Sequence, residues 1–150
     1  MAVKEAAEQN ENAKLLMTQP GVGPVTSLAF ALTMGDVSRF PRGKQVASYL
    51  GLIPGEYSSG GHQRLGPITK QGNRFLRMLL VEAAQGAVRC DPDFRREYLH
   101  RCHTKPKGVA KVAAARKLAI RLYWMLRTRK QYPEIVRSES SSRVPLASAS

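Results

Sequence analysis

The chain has 150 residues, with 24 lysines and arginines against 11 aspartates and glutamates, a formal net charge of +13, and 43% hydrophobic residues. That length allows one ordinary domain with a core and little more; no run of about twenty apolar residues is there to span a bilayer, and Ala2 to Ala6 lack the apolar stretch of a signal peptide. The excess positive charge asks for a polyanionic partner, nucleic acid before an anionic membrane, so a cytoplasmic, nucleic-acid-facing protein that uses no membrane is expected.

Residues 2–17 read as one helix, rich in Ala, Glu, Lys and Gln, whose few apolar side chains (Val3, Ala6, Ala7, Ala13, Leu15, Leu16, Met17) leave its first turns little to bury. Residues 1–18 are therefore set apart as an N-terminal helix, which by composition reads as a frayed solvated end. At Pro20-Gly-Val-Gly23 a helix ends, and another begins near Pro24, a favourable first-turn residue. This pattern predicts a helix-hairpin-helix-like start to the domain, in which Gly21 and Gly23 expose backbone N–H groups to a DNA phosphate without reading sequence. A tight inter-helix turn with no ligand is the plain alternative.

A loop at Gly35 to Pro41 sends Phe40 to the core, and a helix over Lys44 to Leu50 buries Val46, Ala47 and Leu50. Next comes a glycine-rich stretch with Gly51, Gly55, Gly60, Gly61, Gly66 and Gly72, which cannot be one regular element and which carries Ser58 and Ser59, with a short extended piece at Gln63 to Ile68. From Asn73 to Arg89, Leu76, Leu79, Leu80, Ala83, Ala84, Ala87 and Val88 recur at helical spacing and predict the central buried helix. Arg74 and Arg77 fall on its first turn, where cations oppose the helix dipole unless an anion is near, a hint of phosphate binding.

Asp91 and Pro92 read as N-cap and first residue of a helix to about His103, broken at Lys105 to Gly108. The last helix, Val109 to about Arg129, repeats Val112, Ala115, Ala119, Leu122 and Leu126, which leaves Arg116, Lys117, Arg121 and Arg127 on a basic outer face. Because they lie on a helix with a clear core side, Tyr123 and Trp124 read as packing residues, with base stacking as the alternative. Residues 19–130 thus form the domain, and residues 131–150, serine-rich from Ser138, a disordered tail. The fold class is mainly α.

Two cysteines, Cys90 and Cys102, lack disulfide-framework spacing, and although His100 and His103 flank Cys102, ligand spacing does not support zinc. No Ser-His-Asp arrangement can be argued, since His62 is a lone loop histidine and serine needs activation to act as a nucleophile. The loop does offer Arg64, Lys70, Arg74 and Arg77, cations suited to a phosphorane-like transition state. The acids form no paired set that spacing supports as a two-metal site.

The ordered series Gly51-Leu-Ile-Pro54, Ser58-Ser-Gly-Gly61, Gly66-Pro-Ile-Thr-Lys-Gln-Gly-Asn73 and Leu76-Arg-Met-Leu-Leu-Val-Glu-Ala-Ala84 resembles the C-terminal transposase domain of the DEDD-type insertion-sequence transposases, the family of the Piv DNA invertase. The resemblance runs from about Gln19 to about Arg127. It implies DNA transposition or recombination through a serine that attacks a DNA phosphodiester, carried here by Ser59 with Ser58 as runner-up, and a site shaped by Gly72, Asn73 and Arg77. It further implies an RNA guide, homo-oligomerisation at full length, a RuvC-like N-terminal domain whose four acids bind Mg2+, and a long helix or coiled coil ahead of this domain, of which residues 1–18 would be the stub. This chain has no room for that domain and is expected to bind no cofactor itself, so alone it should bind nucleic acid better than it cuts it. A non-catalytic helix-hairpin-helix module for DNA or RNA is the competing reading; a ribosome-associated basic protein fits the charge but leaves the glycine-serine loop unexplained.

Overall fold

Asparagine, proline and glycine divide the first third of the chain into short helices. A computed structural model describes residues 2–52 and 67–137, apart from the side chains of 67–73; the serines at 58 and 59, His62, Arg64 and the serine-rich tail lie outside the described residues. In place of one helix over 2–17 there are two, α1 (Ala2–Gln9) and α2 (Glu11–Leu16). The break falls at Asn10, whose Oδ1 accepts from the Ala13 amide at 3.0 Å and caps α2. Ala7, Ala13 and Leu16 are fully buried, and both helices pack on α3 (Pro24–Met34). The segment is therefore part of the core rather than a frayed stub.

Arg39 closes α3 by donating to the Met34 and Thr33 carbonyls at 3.3 and 3.5 Å, a cation placed at a helix C-terminus, where the dipole favours it. The 3-10 turn Val37–Arg39 is capped by Asp36, which accepts from the Ser38 amide and hydroxyl; those two bonds hold its carboxyl below the ordinary value. Phe40 is buried as expected, and α4 (Gly43–Tyr49) delivers Val46, Ala47 and Leu50 to the core. Gln45 accepts from the Arg42 amide at 3.2 Å at its start.

Helix α5 runs over Pro67–Cys90, six residues longer at its start than the periodicity suggests, with Pro67 at the first helical position. Ile68 is thus helical rather than extended, and Arg74 and Arg77 lie about two turns inside, beyond the reach of the dipole argument. Leu76, Leu80, Ala83, Ala84 and Ala87 form its core face; Leu79 is only partly buried. In α6 (Pro92–Thr104), Asp91 caps by accepting from the Asp93 amide at 3.0 Å, and Phe94 and Tyr98 are buried. Burial and a hydrogen bond with the Cys102 thiol push the Tyr98 phenol up.

Helix α7 (Lys107–Thr128) is the hub, touching α2, α4, α5, α6 and the 3-10 turn. The centre of the fold is therefore shared by α5 and α7 rather than held by α5 alone. Its small residues Ala110, Ala114, Ala115 and Ala119 are buried beside Leu118, Leu122 and Leu126, which lets neighbouring backbones come close. Arg129 ends it in the left-handed conformation at φ 59°. Residues 132–137, assigned to the tail by sequence, form a further helix, α8, with Ile135 buried and Tyr132 and Val136 against the core. No strand occurs among the described residues, and no helix is long and apolar enough to cross a membrane.

Candidate nucleic-acid interface

The α2–α3 hairpin comes first among the predicted contacts. Gly21 has φ +93°, and a β-carbon there would stand 2.6 Å from the Ala87 amide nitrogen and 2.7 Å from the Ala83 carbonyl oxygen of α5. Glycine is thus required at this position by the close approach of the turn to α5 at Gly86. A β-carbon on Gly23 would meet nothing within 4 Å. Gly23 precedes Pro24 as the N-cap of α3, and no side chain caps that end.

The second group flanks the glycine-serine stretch in sequence. Arg77 donates to the Leu50 carbonyl at 3.3 Å, and its guanidinium lies 2.7 Å from where a Gly51 β-carbon would be. With Leu52 fully buried, Arg77 fixes the root from which the stretch beyond residue 52 departs. Arg74 is exposed one turn earlier. Lys70 is on the first turns of α5 by backbone, with its side chain outside the described residues, as is all of Arg64.

The third group, the expected basic face of α7, divides. Arg121 is buried, its side chain 3% exposed, and donates to Asp91 Oδ2 at 3.0 Å, Asp91 being equally enclosed. Its guanidinium also lies 5.1 Å from the Phe94 ring and 5.7 Å from that of Tyr132. Arg121 is therefore a structural ion-pair residue, because α7 is buried over a wider arc than the Val112 to Leu126 stripe covers. Lys117 bridges Asp93 and Glu97 at 3.1 and 3.0 Å. Arg127 donates to the Phe40 carbonyl at 2.7 Å and to the Tyr123 hydroxyl, which itself donates to Phe40. Arg116 alone of the four has no protein partner among the described residues.

What faces solvent lies between α6 and α7. Arg101, Arg116, Ile120 and Trp124 line a concavity of about 440 Å³ together with the Lys117–Glu97 pair. A second hollow, of about 460 Å³, continues from Glu97 and Arg101 along α6 past His100 and Lys105. Tyr123 is buried as the sequence suggests, but Trp124 is 39% exposed. Sequence reasoning missed it because residue 124 lies at the edge of the apolar stripe, where helical phase alone does not separate wall from core. Arg101 went unnoticed for a simpler reason: charge counting treats all cations alike.

The carboxylates do not fit a divalent metal. Asp91, Asp93 and Glu97 are each engaged by Arg121 or Lys117, and no three His, Cys, Asp or Glu side chains converge among the described residues. Cys90 and Cys102 are both free thiols.

Comparison with known proteins matches much of the chain. The model of the "Transposase IS116/IS110/IS902 family" matches residues 13–99. A probable family 20 transposase of Pseudomonas aeruginosa is 40% identical over 119 residues, 77% of this chain and 35% of that protein. The transposase for insertion sequence element IS1111A of Coxiella burnetii is 37% identical over 87 residues, 58% of this chain and 24% of the relative. A pilin gene-inverting protein of Moraxella bovis is 43% identical over 53 residues, 35% of this chain and 16% of the relative. The chain spans about a third or less of the length of these relatives. No solved structure matches it.

Proposed function

The chain belongs to the IS116/IS110/IS902 family of transposases, and from that premise we propose that it is the DNA-binding, serine-bearing C-terminal part of such an enzyme, of the DEDD type. The observation that carries this reading is that the residues matched by the family model, 13–99, include the glycine-serine stretch. In the proposed reaction the Ser59 hydroxyl oxygen attacks a DNA phosphorus, the bond from phosphorus to a sugar oxygen breaks, and that oxygen takes the proton. Covalent catalysis of this kind divides one exchange into two easier steps. Cations near the loop, Arg74 among them, would stabilise the charge that develops on phosphorus, while Arg77 fixes the loop's root. The Mg2+ that the resemblance implies belongs in this reading to a RuvC-like acidic domain in cis or in trans, and an RNA guide and a second copy belong to the full-length assembly.

The test restores an acidic domain by fusion to a full-length relative and looks for a covalent protein–DNA adduct. Ser59→Ala, which removes a single side-chain oxygen, should abolish the adduct while leaving stability within about 0.5 kcal/mol and DNA affinity nearly intact. Ser58→Ala should still form it. Reversal of the two results moves the nucleophile by one residue; an active fusion indifferent to both changes would leave a non-catalytic nucleic-acid-binding module as the better reading.

A further inference from the structure

We infer that the concavity between α6 and α7 holds an unpaired base of single-stranded DNA, stacked on Trp124, with Arg101 and Arg116 against the flanking phosphates. This rests on the proposed DNA-binding function and goes further by naming the form of DNA and the residue that reads it. Trp124 is set edge-on against Tyr123, with ring centroids 5.0 Å apart at 68°, and the Arg127 guanidinium lies 5.9 Å from its ring. An indole braced by Tyr123 and Arg127 and still 39% exposed offers a stacking surface, and every base has a π-face to meet it. In a duplex those faces are covered by neighbouring bases, so only an unpaired base can reach the ring.

Size and charge agree. A hollow of about 440 Å³ falls in the range of sites for single small-molecule-sized groups, room for one nucleotide and not for a double helix. Its one acid, Glu97, is paired with Lys117 at 3.0 Å, whereas Arg101 and Arg116 have no carboxylate partner among the described residues. The adjoining hollow, with His100 and Lys105, carries the same charge onward along a line a strand backbone would follow.

Trp124 is the sole tryptophan of the chain, so its intrinsic fluorescence reports on this site alone. Titrating the whole chain with a fifteen-nucleotide oligo-dT at low salt should quench it, and duplex of the same length should not. By anisotropy of the labelled oligonucleotide, Trp124→Ala should weaken single-strand binding about tenfold with duplex affinity and helicity unchanged, and Trp124→Phe should recover most of the loss. Arg116→Gln, which keeps the ring, should lower affinity yet preserve the quench at saturation. Binding without quenching, equal weakening of both DNA forms by Trp124→Ala, or tighter binding and quenching by oligo-U than by oligo-dT would each overturn the inference and leave the proposed function standing. Absence of any DNA binding would overturn both.

Discussion

Asp91 does three things with one carboxylate: it caps α6, pairs with buried Arg121 and accepts from the Tyr132 hydroxyl at 3.0 Å. A buried pair of this kind is weak evidence of net stabilisation, but losing either partner strands the other charge without solvent. Tyr132 shows the linkage. Burial, then the hydrogen bond to Asp91 and the charge of that carboxylate, push its phenol from 10.0 up to about 12. Because the folded value lies above the unfolded one, the protonated hydroxyl stabilises the fold fully below pH 10, and that contribution is lost as pH rises from 10 through about 12. Tyr132→Phe should cost about 1.5 kcal/mol at pH 8, and the gap from wild type should narrow between pH 10 and 11.5 in denaturant melts; a gap constant over that range would show that the bond is not made. None of this was readable from charge. An arginine turned inward and one in water look alike in a count, although Arg121 does sit three residues after Leu118 and four before Met125, on the buried side.

At the scale of elements, stop and start signals were the legible part. Pro24, Pro92 and the Asp91 cap lie where the chain's punctuation puts them. The start of α5 was missed because Gly66 and Gly72 read as loop, while Pro67, a good first helical residue, went unused. The break at Asn10 was missed because a capping asparagine is inconspicuous among helix formers. How the elements meet was not legible at all. Turn and α5 touch backbone to backbone at Gly21 and Gly86, a contact between residues far apart in sequence. Gly21→Ala combines a positive φ, costing about 1–3 kcal/mol, with a collision against main chain that has no flexible side chain to yield. We expect a loss of about 3 kcal/mol or more in urea denaturation, against about 1 kcal/mol or less for Gly23→Ala, where the space is open and only a modest N-cap preference is lost. Equal effects would mean that the turn does not lie on α5.

For the whole molecule, net charge points to a polyanionic partner but not to a surface. Several cations that contribute to that charge serve the fold: Arg39 closes α3 and Arg95 donates to the Val88 carbonyl near the end of α5, while of those expected on a basic outer face Arg127 holds Phe40 and Arg121 is enclosed. The ends of the described fold are meanwhile joined, the Tyr132 amide donating to Thr18 Oγ1 at 2.9 Å across 114 residues of chain and Arg129 to Asn12 across 117. Such joins matter most to the clock of folding. Closing a loop that long costs only logarithmically more than closing a short one, but it is made cheaply only after the intervening helices have drawn its ends together. The clasp between α8 and the α2 end should therefore be absent from the transition state. Thr18→Val, which removes the acceptor and keeps the shape, should speed unfolding about fivefold in stopped-flow kinetics and leave the refolding rate unchanged. The last contact to form would then be the first to let go, and the lifetime of the native state would be set where α8 is held against the end of α2.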